Sequence, residues 1–196
     1  MIAYKGFNED LACTRGHGTF RYQLGKTYKE KEAQCANTGF HCVEEPIEVM
    51  RWYPGRNDRY CIVEATGDVH EDGYEKISCT EITLLKEITR EQLGILECQW
   101  MMKHPDRIYS NLVKKDYGHA YKDEIVVVRG KNPVGAGKKG ATIFLLKEGK
   151  GSKKIIEAGV FKIDNVNYFE DKKYDVKGRV VSEKRRTEKA SKTSGN

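Results

Sequence analysis

Short stretches of alternating apolar and polar residues, broken by glycine, proline and charge, set the layout of this chain. They predict a strand over residues 1–5, a glycine-rich loop over 6–18, a strand–turn–strand unit over 20–28 and a helical turn over 30–37. The stretch Gly39-Phe40-His41-Cys42-Val43 reads as a strand. A short helix follows it, with Pro46 at the first helical position, where its missing N–H costs nothing, and Glu44 and Glu45 at the positive end of the dipole. Strands are expected over 60–65, 76–80 and 82–85, with a loop over 67–73.

Thr89, with Gln92 three residues on, has the form of a capping box before the periodic set Leu93, Leu96 and Trp100. This predicts the clearest helix of the chain, stopped at His104-Pro105. A second short helix is expected to start at Asp106 and to carry Ile108 and Leu112. Beyond it the pattern returns to strands, over 124–128, 141–146 and 154–161, with a Gly- and Lys-rich loop over 129–140. A closing hairpin is expected over 163–168 and 174–181. After Ser182 almost nothing is apolar, which predicts a disordered basic tail over 183–196.

Composition sharpens the division. The chain has 196 residues, enough to bury a core without staples, and its 11 Tyr against 6 Phe favour half-buried sheet faces. Residues 1–128 carry 17 Lys and Arg against 21 Asp and Glu, whereas residues 129–154 carry 8 against 1. Such an asymmetry marks a region with its own partner. The expected class is α+β: a mixed sheet with few helices over 1–118, followed by a small, basic, mainly β module over 119–182. No apolar run is long enough to span a bilayer, and no secretory leader is visible, so a cytoplasmic protein without membrane contact is expected. In that setting the six cysteines read as free thiols, with Cys61 and Cys79 as small core hydrophobes.

Tyr4-Lys5-Gly6-Phe7, Asp10-Leu11, Cys13, Gly25-Lys26-Thr27-Tyr28, Gly39-Phe40-His41-Cys42, Pro46 and Tyr53-Pro54 together resemble an uncharacterised family of phage and prophage proteins. The resemblance covers roughly the first 88 residues and, more thinly, the phrase Val160-Phe161-Lys162-Ile163-Asp164; it implies a phage or prophage origin and no reaction. Extra residues at Gly16-His17-Gly18-Thr19 depart from that pattern. The order of aromatic-basic-glycine strand, Gly-Phe strand and helix is also similar to ADP-ribosyltransferases. That likeness implies NAD as cofactor, with Lys5 and His41 gripping it and Glu81 as the catalytic carboxylate. Cys79 stands in the first place of the Gln/Glu-x-Glu pair of such enzymes.

Other chemistries are poorly represented. Cys13 with His17, and Cys35 with His41 and Cys42, lack the paired C-x2-C spacing of structural zinc. Cys42 with a distant His104 or His119 is a thiol–imidazole option that sequence spacing does not support. The glycines of 130–140 are not a P-loop, because the Gly-Lys pair is followed by neither Ser nor Thr. They lie instead in a dense set of cations, Arg129, Lys131, Lys138, Lys139, Lys147, Lys150, Lys153 and Lys154, suited to contact with phosphates or an acidic surface. The expectation is a non-enzymatic, cofactor-free binding module of phage type. It would act in the host cytoplasm on a host protein or nucleoprotein complex, as an inhibitor or anti-defence factor; a minor virion component is the structural alternative.

Overall fold

The computed structural model describes residues 1–16, 18–71 and 76–182. Strands dominate, and they form two main sheets on either side of one long helix. The first sheet contains β1 (Ile2–Phe7), β4 (Thr27–Lys29), β5 (Phe40–Val43), β6 (Arg59–Glu71) and β7 (Lys76–Ile88), in the order β4-β7-β5-β1-β6. Because β6 also pairs with β7, the sheet closes into a small barrel. A two-stranded ribbon, β2 (Ala12–Gly16) and β3 (Gly18–Arg21), lies outside it. Alternate residues of each strand point inward. Ala3, Phe7, Cys42, Cys61, Val63, Ile77, Cys79, Ile82 and Leu84 therefore share one core, and Phe7, Phe20, Tyr22, Tyr28 and Phe40 pack over it edge to face.

The short helix forms as its sequence signals: a 3-10 turn, Pro46–Glu48, runs into α1 (Val49–Trp52). α2 (Arg90–Lys103) also starts where the capping box places it. The Thr89 side chain accepts from Gln92 N, and the Gln92 side chain accepts from Thr89 N. The helix buries Leu93, Gly94, Glu97, Cys98, Trp100 and Met101. Leu93 joins Val43, Val49 and Tyr60 of the first region, whereas Cys98, Trp100 and Met101 join Val127, Phe144 and Leu146 of the second. Gly94 is where the helix meets the second sheet, since the ring of Phe144 occupies the space a Cβ would need.

That second sheet is mixed. β8 (Lys114–Ala120) runs parallel to β9 (Ile125–Gly137), β9 runs parallel to β10 (Thr142–Glu148), and β11 (Ile155–Lys162) is antiparallel to β10. β12 (Tyr174–Asp175) adds to β9. The change of sheet comes at Lys114, so the expected boundary at residue 118 falls inside β8.

Six further expectations need correcting. Residues 6–18 are not all loop: Asn8 Oδ1 accepts from the N–H groups of Asp10 and Ala12, and this tight turn lets β2 begin at once. Residues 30–37 form no helical turn, because the chain doubles back through a Gln34–Thr38 bridge. β6 runs on to Glu71, since Gly67 at φ +72 absorbs a bulge against Thr80. The expected helix at 106–112 is absent, because the Ser110 N–H is drawn to Glu45 Oε1 instead. Finally, 129–140 is largely strand, as the glycine-rich stretch finds partners in β8 and β12. At 163–168, where a hairpin strand was expected, Asp164 Oδ1 accepts from the N–H groups of Val166, Asn167 and Tyr168 and makes a turn. The expected disordered tail over 183–196 lies outside the described residues.

Candidate functional site

Lys5 on β1 and His41 on β5 do meet. Lys5 Nζ donates to the His41 carbonyl at 2.5 Å, and the ammonium lies over the rings of Phe7 and Tyr22. Lys5 is therefore a buried lysine of the barrel wall and not a solvated strand end. His41 Nε2 accepts from Ala36 N. Burial, and then the charges of Lys5 and Lys76, hold the imidazole below its ordinary pKa, so it stays neutral at physiological pH.

Glu81 does not join them. His41 faces Ser78 in the β5–β7 register, whereas Glu81 lies further along β7, opposite Lys29 of β4 and paired with its ammonium at 2.7 Å. The three residues that an NAD-gripping transferase would need are thus divided between a buried wall and an exposed ion pair. The thiol–imidazole option is divided in the same way. Cys42 lies in the barrel core, His104 stacks on Trp100, and His119 is held by Asp171 at 3.1 Å. Burial pushes the Cys61 and Cys98 thiols up to about 12, which leaves both inert as nucleophiles at neutral pH.

The cations divide too. Arg129, expected at the surface, is fully buried. Its Nε donates to Glu148 Oε1 at 2.8 Å, Nη2 donates to the carbonyls of Pro105 and Lys153 at 2.7 Å each, and the guanidinium stacks on Tyr109. A guanidinium can fill such a site because its planar fork reaches several acceptors at once. Exposed lysines surround this anchor. Lys115 is in register with Arg129 across β8–β9, Lys131 follows two residues on, and Lys153 supplies one of the bound carbonyls. Lys150 and Lys154 lie on the same β10–β11 turn. Lys115, Lys131, Lys150, Lys153 and Lys154 are exposed and have no carboxylate partner among the described residues. Lys147, half-buried, faces Glu157 at 3.9 Å.

Lys138 and Lys139 are at the opposite end of β10, roughly 20 Å away for a strand of that length. Lys138 pairs with Asp171 at 2.5 Å, and the Lys139 N–H binds Glu170. The single basic cluster read from sequence is therefore two regions, and in the second Lys138 is paired with Asp171. Lys115 belongs to the open region and was missed; the Lys114-Lys115 doublet was its only signal.

Two other clusters lie between the sheets. An open cleft of about 500 Å³ is lined by Arg56, Arg59, Tyr60, Glu87, Thr89 and Arg90 among others. Each guanidinium there already holds a carboxylate: Arg59 takes Glu87 in a fork, Arg56 takes Asp123 and Arg90 takes Glu124. The first pair joins β6 to β7, and the other two tie the loop before β6 and the start of α2 to the turn before β9. Nearby, Glu97 is fully buried on α2; Oε2 accepts from Ile47 N, and Oε1 has no hydrogen-bond partner. Burial, followed by the negative charge of Glu45, raises its pKa well above the ordinary carboxylate range. Among the described residues no group of three or more His, Cys, Asp or Glu is arranged to hold a metal, and no helix is long and apolar enough to cross a membrane.

The molecule is thus a mainly β protein with two sheets sharing a helix, a buried cation in each, and one open basic end. Its first region, residues 1–96, is similar to a family described as Domain of unknown function (DUF7666). No curated protein and no solved structure matches the chain.

Proposed function

We propose that this protein is a phage-type accessory protein that acts by binding inside the host cytoplasm, with the open end of the second sheet contacting the phosphates of a nucleic acid or of a nucleoprotein complex. The observation that carries this reading is the group of exposed lysines, Lys115, Lys131, Lys150, Lys153 and Lys154, held around buried Arg129 without carboxylate partners among the described residues. Unpaired ammonium groups on a rigid strand end keep their charge available to an outside anion. Each phosphate they neutralise releases counterions and steepens the salt dependence of binding by about 0.9 in log–log slope. Aromatic side chains are sparse at this end, so the contact would be with backbone charge and not with stacked bases. The transferase alternative has less support, because Glu81 stands apart from Lys5 and His41.

The test is a salt titration of the full chain against generic duplex DNA and RNA. The triple variant Lys131→Glu, Lys150→Glu, Lys153→Glu is expected to lose binding and to flatten the salt slope by about 2–3. Binding by the variant equal to that of the unaltered chain would reject the reading. Retained capture of an acidic host protein by the unaltered chain, with no nucleic-acid binding, would move the partner to that class.

A further inference from the structure

Rings are sparse among the open lysines themselves, but the strand that leaves them carries a row of them. β8 begins at Lys114-Lys115 and passes through a bulge at Asp116 (φ +61) to Tyr117, Gly118, His119 and Ala120. Gly118 and Ala120 turn inward: a Cβ at 118 would meet Val126 and Val128, and Ala120 packs in the core of the second sheet. Alternation along the strand then turns Tyr117 and His119 to the opposite, outer face. Tyr121 follows just past the strand, with its ring 6.0 Å from that of His119 and nearly perpendicular to it. Tyr117 is 47% and Tyr121 77% accessible, and His119 is half-buried.

The surroundings of this row are basic. Lys173 Nζ reaches over the Tyr117 ring at 5.6 Å. Exposed Lys115 and Lys122 stand before and after the row along the chain. The carboxylates nearby already hold cations of their own. Asp171 takes Lys138 and His119, Asp175 takes Arg179, and Asp123 takes Arg56. Beside Tyr117, across the β8–β9 register, lies only the short side chain of Val134. Three accessible rings at alternate positions therefore share one sheet face with ammonium groups.

We propose, resting on the phosphate contact above, that this face takes a single-stranded nucleic acid, with phosphates at Lys115, Lys122 and Lys173 and bases stacked on Tyr117, His119 and Tyr121. Charge complementarity selects a polyanion, and the spacing of the rings selects the single strand. Alternate positions on a β-strand stand about 6.6 Å apart. Bases along one strand of a duplex rise by roughly 3.4 Å and are stacked on one another, so they cannot each meet a ring. An extended single strand, with its bases drawn apart, can lay one base on each. Every base offers a π-face, so such a row binds with little sequence preference, and the cations beside it follow the backbone. Ribose and deoxyribose strands share this chemistry.

The test is fluorescence anisotropy of the full chain with labelled oligothymidine and oligouridine of about 12 nucleotides, and with a duplex of the same length. Tighter binding of either single strand than of the duplex is expected, and the tighter of the two names the sugar. Tyr117→Ala with Tyr121→Ala, both at exposed positions, should weaken single-strand binding by about tenfold or more while leaving the salt slope unchanged, because stacking releases no counterions. Tyr117→Phe with Tyr121→Phe keeps the rings and should bind as the unaltered chain does. Equal affinity for single strand and duplex, an alanine variant that binds normally, or an equal loss in the phenylalanine variant would each overturn the proposal. Duplex binding that depends on Lys131, Lys150 and Lys153, with no effect of the tyrosines on either form, would reject the stacking face and leave the phosphate contact standing. A chain that binds none of the three would reject both.

Discussion

The two sheets solve one problem, a buried cation, in different ways. In the barrel, Lys5 makes one hydrogen bond, to the His41 carbonyl, and otherwise rests against Phe7 and Tyr22. In the second sheet, Arg129 binds a carboxylate and two carbonyls and stacks on a tyrosine, joining β9, β10, the turn before β11 and the segment after α2. A lysine so placed is a tenant of the core. An arginine so placed is a joint, because removing it leaves four groups without their partner.

That contrast sets the scale of the expected effects. Arg129→Met should be the most damaging, costing roughly 3 kcal/mol in urea denaturation, because Glu148 and two carbonyls lose their donors together. It should also weaken polyanion binding, since the exposed lysines lose the anchor that gathers them.

Lys5→Met should cost less, about 1 kcal/mol, as one hydrogen bond is lost and apolar volume is kept. Its second effect can be read separately. The Lys5 charge is one cause of the lowered His41 pKa, after burial, so the imidazole should titrate at higher pH in the variant when followed by NMR. Equal losses at the two positions would break the comparison.

The smallest expected effect lies on the helix that both sheets share. Glu97 has a raised pKa in the folded chain, so the folded state binds a proton more tightly than the unfolded state. Its contribution to stability is present below the ordinary Glu pKa and falls away as pH rises through the folded value. Glu97→Gln can still accept from Ile47 N and should flatten that decline, leaving the variant at least as stable as the unaltered chain at alkaline pH. A steeper decline in thermal melts across the pH range would contradict this.

Local signals were legible and long-range ones were not. The Thr89–Gln92 box, the Pro46 start and the run Ile143-Phe144-Leu145-Leu146 each act within a few residues, and each formed as its chemistry dictates. Arg129 was read as a surface cation because its partners are distant in sequence. Pro105 and Lys153 are each 24 residues away, and Glu148 is 19 away on the next strand. The partner of Lys138 is distant in the same way, as Asp171 is 33 residues further on. The glycines of 130–137 suggested loop because a lone strand has no use for them. In the sheet they admit close neighbours: Ile143 presses on Gly135, and Gly130 lies against Asp116. The division of Lys5, His41 and Glu81 depended on the β5–β7 register, which local spacing does not encode.

The bare backbone of Gly94 beneath the Phe144 ring has a consequence for how the first region can be inherited. The similarity to the domain of unknown function ends at residue 96, two residues past that contact and midway along α2. Any relative that keeps the barrel but continues differently must bring its own wedge to this notch, or fill the notch with a larger helical residue. A glycine retained at this point in such a chain would announce a second body leaning on the first, whatever that body had become.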